Sequence, residues 1–246
     1  MTTSELVVIV GVAIIAAMLK SVTGLGYPLL LVPALALFLD IADAIVIVAP
    51  SNLALNAQIA WVNRTSASDA RTLRPFIGAG IIGSVIGTLL LPVLPDRGLR
   101  VALVLIIVAF LADRSRQSRV THTRDPFKTD RLATVTGFFA GVFQGATGVA
   151  GPVVSAWFLS RQIVMNAFVL AVTATFALMG AAQIVVLVFQ PEFADDLFLG
   201  LVLVPFALLM VPLGGFIRAR MDTSRFEQLI IAVLIAAAIS LAVRLV

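Results

Sequence analysis

The stretch Thr23-Gly24-Leu25-Gly26-Tyr27-Pro28 interrupts an apolar run that starts at position 6 and would otherwise continue as one helix. It has a copy. Thr147-Gly148-Val149-Ala150-Gly151-Pro152 lies 124 positions downstream, with Thr, Gly and Pro at matching places. Glycine reaches φ angles closed to other residues, and Pro28 and Pro152 suit the first turn of a new helix, where no N–H is needed. Both stretches read as breaks inside membrane helices. Such a break leaves backbone N–H and C=O groups unpaired in lipid, tolerable only where protein, water or substrate supplies partners. Helices restarting at the two breaks would present free N–H groups and positive dipole ends. Two such ends converging make an anion site.

The rest of the chain makes these membrane segments. Of the 246 residues, 61% are hydrophobic and 12% charged, and the mean hydropathy is +1.11. Soluble domains average about 45–50% apolar and about 25% charged residues. The excess is spread over nearly the whole length, so the expectation is an all-α polytopic membrane protein with no sizeable soluble domain. The absence of cysteine excludes disulfides and thiolate chemistry, and the single His122 lies in a polar stretch. No metal or cofactor is expected. A net charge of +4 would raise nucleic acid as a partner for a soluble protein. Here the basic residues fall between apolar spans, where they encode topology, so no nucleic-acid partner is expected. No basic n-region precedes the first apolar run, which is therefore read as retained in the mature protein.

In order, the chain shows apolar runs at 6–19, 29–39, 44–62, 75–94 and 99–112, then at 132–144, 153–159, 163–189, 197–217 and 226–245. The run at 29–39 would rise only about 16 Å as a helix, too little to cross a core of roughly 30 Å. In the run at 75–94, Gly83 and Gly87 allow close helix approach. The polar stretches at 63–74, 113–131, 160–162 and 218–225 hold 13 of the 17 Lys and Arg residues. The turns at 40–43 and 190–196 hold none and are acidic. Placing the basic stretches in the cytoplasm gives the two halves opposite orientations. The expected architecture is thus two inverted repeats, each a broken-helix hairpin plus three transmembrane helices. The first repeat covers 1–112, a basic cytoplasmic linker 113–131 and the second repeat 132–246. Inverted repeats with broken helices meeting near the midplane are a recurrent design of secondary transporters.

Lys20 lies three residues before the first break, where its ammonium could neutralise an anionic substrate; a charge within a membrane segment points to function by default. The alternative is a lysine that snorkels to the interface. Gln144 is its repeat counterpart. Ser51 and Asn52 follow the first hairpin, and Thr175 stands 124 positions after Ser51. The candidate substrate-binding set is Lys20, Thr23, Gly24, Gly26, Tyr27, Pro28, Ser51 and Asn52 from the first half. The second half adds Gln144, Thr147, Gly148, Gly151, Pro152 and Thr175. Gln58 and Gln183 are read as packing residues, and Trp61 and Trp157 as interfacial anchors.

The Gly-rich break followed by Pro, repeated at the start of each half with a Ser or Thr downstream, resembles the sulfite exporter TauE/SafE family of permeases. The resemblance runs over nearly the full chain and rests on Gly24, Gly26, Pro28, Gly148, Gly151 and Pro152, with Ser51 and Thr175. Tyr27 and Ala150 stand where that family commonly has glycine. The resemblance implies transport of a small sulfur-containing anion such as sulfite, a sulfonate or sulfoacetate.

The expectation is therefore a multi-pass permease of the cell inner membrane, embedded in lipid and binding a small anion. The absence of a nucleotide-binding Gly-Lys-Ser/Thr loop makes it secondary-active, with a proton or sodium ion for coupling. The sequence leaves the oligomeric state open. An integral-membrane accessory protein and an intramembrane enzyme are the alternative classes; the second would need convergent acids, nucleophiles or metal ligands.

Overall fold

The computed structural model describes residues 3–23, 26–66, 73–117, 131–159 and 165–218, with Ile235. Among these the chain is all-α, without strands. The apolar run at 226–245 apart from Ile235, the polar stretch at 118–130 and the two residues Gly24 and Leu25 lie outside the described residues.

Helix α1 (Thr3–Thr23) ends where the first break was read, and the nine-residue α2 (Tyr27–Leu35) starts just beyond it. The long α3 (Ile41–Val62), α4 (Arg74–Leu90) and α5 (Asp96–Gln117) follow. The order then recurs: α6 (Arg131–Thr147), a second nine-residue helix α7 (Gly151–Leu159), α8 (Met165–Val188) and α9 (Ala194–Arg218). Among the described residues, three helical stretches are long and apolar enough to cross a membrane, Ile41–Val62, Ala167–Val188 and Pro191–Leu213. Helix α5 outruns its apolar stretch, continuing to Gln117 through a segment whose Arg and Gln are good helix formers.

The packing is crossed. Helix α1 lies against α9, and α4 lies along α6, while α3 contacts both α8 and α9. The α4–α6 contact is backbone to backbone. A Cβ added at Gly141 would overlap the Gly80 carbonyl oxygen, and one added at Gly83 would overlap the Phe138 carbonyl oxygen. Small residues permit this approach, which lets dispersion contacts and weak backbone contacts hold helices together where lipid supplies no hydrophobic drive. Polar groups add to it. The Ser84 hydroxyl donates to the Met179 carbonyl at 2.8 Å, tying α4 to α8. The Gln183 amide donates to the Gly145 carbonyl at 3.3 Å, which is the packing role read for it.

The turn between α2 and α3 is fastened from α5. Asp40 precedes α3 but makes no side-chain cap. Instead the Ile41 N–H donates to Asp96 Oδ1 at 2.8 Å. Arg100 pairs with Asp96 and also donates to the Ala36 carbonyl at 3.3 Å. Asp96 precedes the apolar run at 99–112. Burial pushes its carboxyl upward, but the hydrogen bonds from Arg100 and Ile41 prevail and hold it below the ordinary carboxylate value. This clasp sets the position of α2, whose first turn enters the candidate site.

The two tryptophans differ. Trp61 is exposed with the Arg64 guanidinium 4.3 Å from its ring, an arrangement suited to a membrane interface. Trp157 is half-buried and packs 5.2 Å from the Phe76 ring centroid, so it belongs to an aromatic cluster between α4 and α7.

Candidate functional site

Both breaks carry a glycine in the left-handed region. Gly26, immediately before α2, has φ +105°, and Gly148, immediately after α6, has φ +69°. A side chain would strain either position. The Gly148 N–H returns to the Gln144 carbonyl at 2.9 Å, and the Thr147 hydroxyl donates to the Phe143 carbonyl at 2.7 Å, so two carbonyls of the last turns of α6 are satisfied at the break. The short helices α2 and α7 begin just beyond these glycines, with the Leu30 N–H donating to the Gly26 carbonyl at 3.1 Å and the Val154 N–H to the Ala150 carbonyl at 3.0 Å.

These ends meet at a small cavity lined by Lys20, Gly26, Pro28 and Leu29 from the first break and Gln144, Gly148, Val149, Ala150 and Gly151 from the second. Asn52 and Phe176 close it, each from near the middle of a long helix, α3 and α8. About 10 Å³ is open to the centre of a water-sized sphere, room for roughly one water molecule.

Lys20 occupies the last turn of α1 and is 2% exposed. Its ammonium donates to Asn52 Oδ1 at 2.7 Å and lies 5.8 Å from the Phe176 ring centroid, within cation–π range. Among the described residues, the ion pair formed is Arg100 with Asp96, and no carboxylate reaches Lys20. An ammonium can only donate, so Asn52 must present its oxygen to Lys20. That oxygen also accepts from Asn56 Nδ2 at 3.3 Å, which leaves Asn56 Oδ1 buried without a partner. Across the cavity Gln144, 1% exposed, has a buried Nε2 without a hydrogen-bond partner. The pocket thus offers a cation and an unused amide donor, with no carboxylate among the described residues to meet either.

A family model described as "Sulfite exporter TauE/SafE" matches residues 9–241. The chain belongs to the TauE/SafE family. No curated protein and no solved structure matches it. The family is one of integral-membrane permeases, so the protein is a transporter by kinship, with a small anionic substrate and a lipid environment.

The sequence-read residues divide within this TauE/SafE fold. Lys20, Gly26, Pro28, Asn52, Gln144, Gly148 and Gly151 line the cavity. Tyr27 and Ser51 do not. The Tyr27 hydroxyl, fully buried, donates to Ser51 Oγ at 2.8 Å, and Ser51 donates to the Val48 carbonyl, so the pair fastens α2 to α3. Thr175 turns its hydroxyl back to the Ala171 carbonyl at 2.7 Å, and Thr147 serves the end of α6. Thr23 is the last residue of α1 and Pro152 is the second of α7; their side chains, like Gly24, lie outside the described residues. Asn56, which helical spacing puts on one face with Asn52, stands behind it rather than in the cavity lining. One residue of the site was missed. Phe176 stands 124 positions after Asn52, the same offset that relates the two breaks, but it is apolar and so was passed over.

Proposed function

We propose that this TauE/SafE protein is a secondary-active permease of the inner membrane that moves sulfite or a small organosulfonate such as sulfoacetate. Its substrate binds between the two helix breaks. The observation that carries the reading is Lys20, a buried ammonium without a carboxylate opposite it, beside the unpartnered Gln144 amide. An uncompensated buried charge costs several kcal/mol, on the order of 3–5 when a partner is removed. Such a cost is retained where a ligand supplies the missing anion. The first-turn N–H groups of α2 and α7 add positive dipole ends to the same cavity.

The alternating charges of the polar stretches support two repeats of opposite orientation, 1–112 and 132–246, joined by the basic linker at 113–131. The broken ends then approach from opposite faces and meet near the midplane, where Asn52 and Phe176 sit in α3 and α8. Rocking of one repeat against the other around the site exposes it to each side of the membrane in turn. A proton or sodium gradient drives the cycle.

Purified protein in liposomes, assayed for flux of labelled sulfite, sulfoacetate and taurine, tests this reading. Saturable flux of at least one of the three is the expected result. Absence of flux for every anion, in protein shown to be folded, contradicts it.

A further inference from the structure

The two sides of the cavity are built from residue pairs at the repeat offset of 124. Lys20 pairs with Gln144, and Asn52 pairs with Phe176. On the first side the pair is satisfied internally, because the Lys20 ammonium donates to Asn52 Oδ1 at 2.7 Å. On the second side the position of Asn52 is taken by Phe176, whose ring has no oxygen to offer. Gln144 Nε2 is buried there without a partner. The orphan amide and the aromatic ring line the same cavity. Under the repeat read from the sequence, an asparagine at position 176 would offer Gln144 the acceptor that Asn52 offers Lys20.

We propose that Phe176 is a specificity-determining residue of the anion site. By standing where repeat symmetry would place a second asparagine, it reserves the Gln144 amide for an oxygen of the substrate. This rests on the anion-permease reading and deepens it. The ligand class is an oxyanion with at least two acceptor oxygens, one for the Lys20 ammonium and one for Gln144 Nε2. The Phe176 ring does a second thing from the same place. It lies 5.8 Å from the Lys20 ammonium and gives the empty site a weak, neutral counterpart to that charge. A carboxylate there would compete with the substrate for Lys20, and an amide would compete for Gln144. An aromatic ring competes for neither.

The test separates the donor-reserving role from simple packing. Sulfite affinity of the purified full-length protein is measured by calorimetry for wild type, Phe176→Leu and Phe176→Asn, with folding checked by thermal melting. Phe176→Leu removes the ring yet leaves Gln144 free, and is expected to bind sulfite at least as tightly as wild type, since losing the ring's contact with the buried Lys20 ammonium removes no contact to the substrate. Phe176→Asn supplies an acceptor for Gln144 and is expected to weaken binding at least about tenfold, the worth of a charge-assisted hydrogen bond. Phe176→Gln makes the same test with a longer reach should the asparagine variant fail to fold. On a Gln144→Leu background the difference between the asparagine and leucine variants should vanish, as a coupled pair requires. Equal weakening by both substitutions, or a difference that persists without Gln144, overturns the proposal while leaving the anion site in place. Wild-type protein that binds neither sulfite nor an organosulfonate overturns the permease reading, and this proposal with it.

Discussion

The Lys20 ammonium and the Asn52 carboxamide oxygen meet at 2.7 Å across 32 positions of sequence, joining the end of α1 to the middle of α3. This hydrogen bond is the internal anchor of an otherwise unpaired charge. It fixes the orientation of Asn52, then that of Asn56, and so the polarity of one wall of the cavity.

Replacing Lys20 by Gln should weaken anion binding by about 10- to 100-fold, because hydrogen bonds to a charged group contribute about 1.5–3 kcal/mol. The melting temperature should hold or rise, since an uncompensated buried charge is removed. Calorimetric titration with sulfite and thermal unfolding in detergent check both halves. Unchanged affinity would take Lys20 out of the site.

Tyr27→Phe should behave differently. Its hydroxyl binds Ser51 rather than the cavity, so the loss is one buried hydrogen bond, about 1 kcal/mol of stability. The preference between sulfite and taurine in a flux assay should stay as in wild type. A changed preference would return Tyr27 to the substrate site.

Two glycines of the packed helices should give opposite results. Gly141→Ala places a Cβ on the Gly80 carbonyl oxygen, and neither backbone can yield without separating α4 from α6. Overpacking of this kind costs roughly 1–3 kcal/mol. At Gly78 an added Cβ meets nothing within 4 Å, so Gly78→Ala should be neutral or stabilising by up to about 1 kcal/mol through helix propensity. Comparing the melting temperatures of the two variants checks the prediction.

The proposed inverted arrangement has its own test. Cysteines introduced at Arg116 and Arg220 into the cysteine-free chain should both react with an impermeant maleimide only from the cytoplasmic face. Reaction of the two from opposite faces contradicts the orientation drawn from the charge pattern.

What the sequence could show followed from local chemistry. Glycine and proline punctuate apolar runs, so the ends of α1 and α6 and the starts of α2 and α7 were legible at Thr23, Tyr27, Thr147 and Gly151. Gly83 and Gly87 announced a close helix contact, though not that its partner would be α6. The division of polar residues between cavity and scaffold was not legible. Ser51 and Asn52 are adjacent, yet one hydroxyl serves Tyr27 while the other side chain meets Lys20. Which way each points depends on where α1 and α2 cross α3, a tertiary fact. Thr175 was selected by its offset from Ser51, but a threonine in a helix can turn its hydroxyl to its own backbone, and here it does. Phe176 escaped because a search for polar groups ignores the residue that shapes a site by withholding a partner.

The most direct test of the central claim is crystallographic. Selenite has the charge and pyramidal shape of sulfite and a strong anomalous signal, so crystals of the protein grown with selenite locate the anion without ambiguity of element. A selenium peak is expected in the cavity between the two breaks, with oxygens within hydrogen-bond reach of Lys20 Nζ and Gln144 Nε2. A well-occupied selenium peak elsewhere in the protein, with this cavity empty, would contradict it.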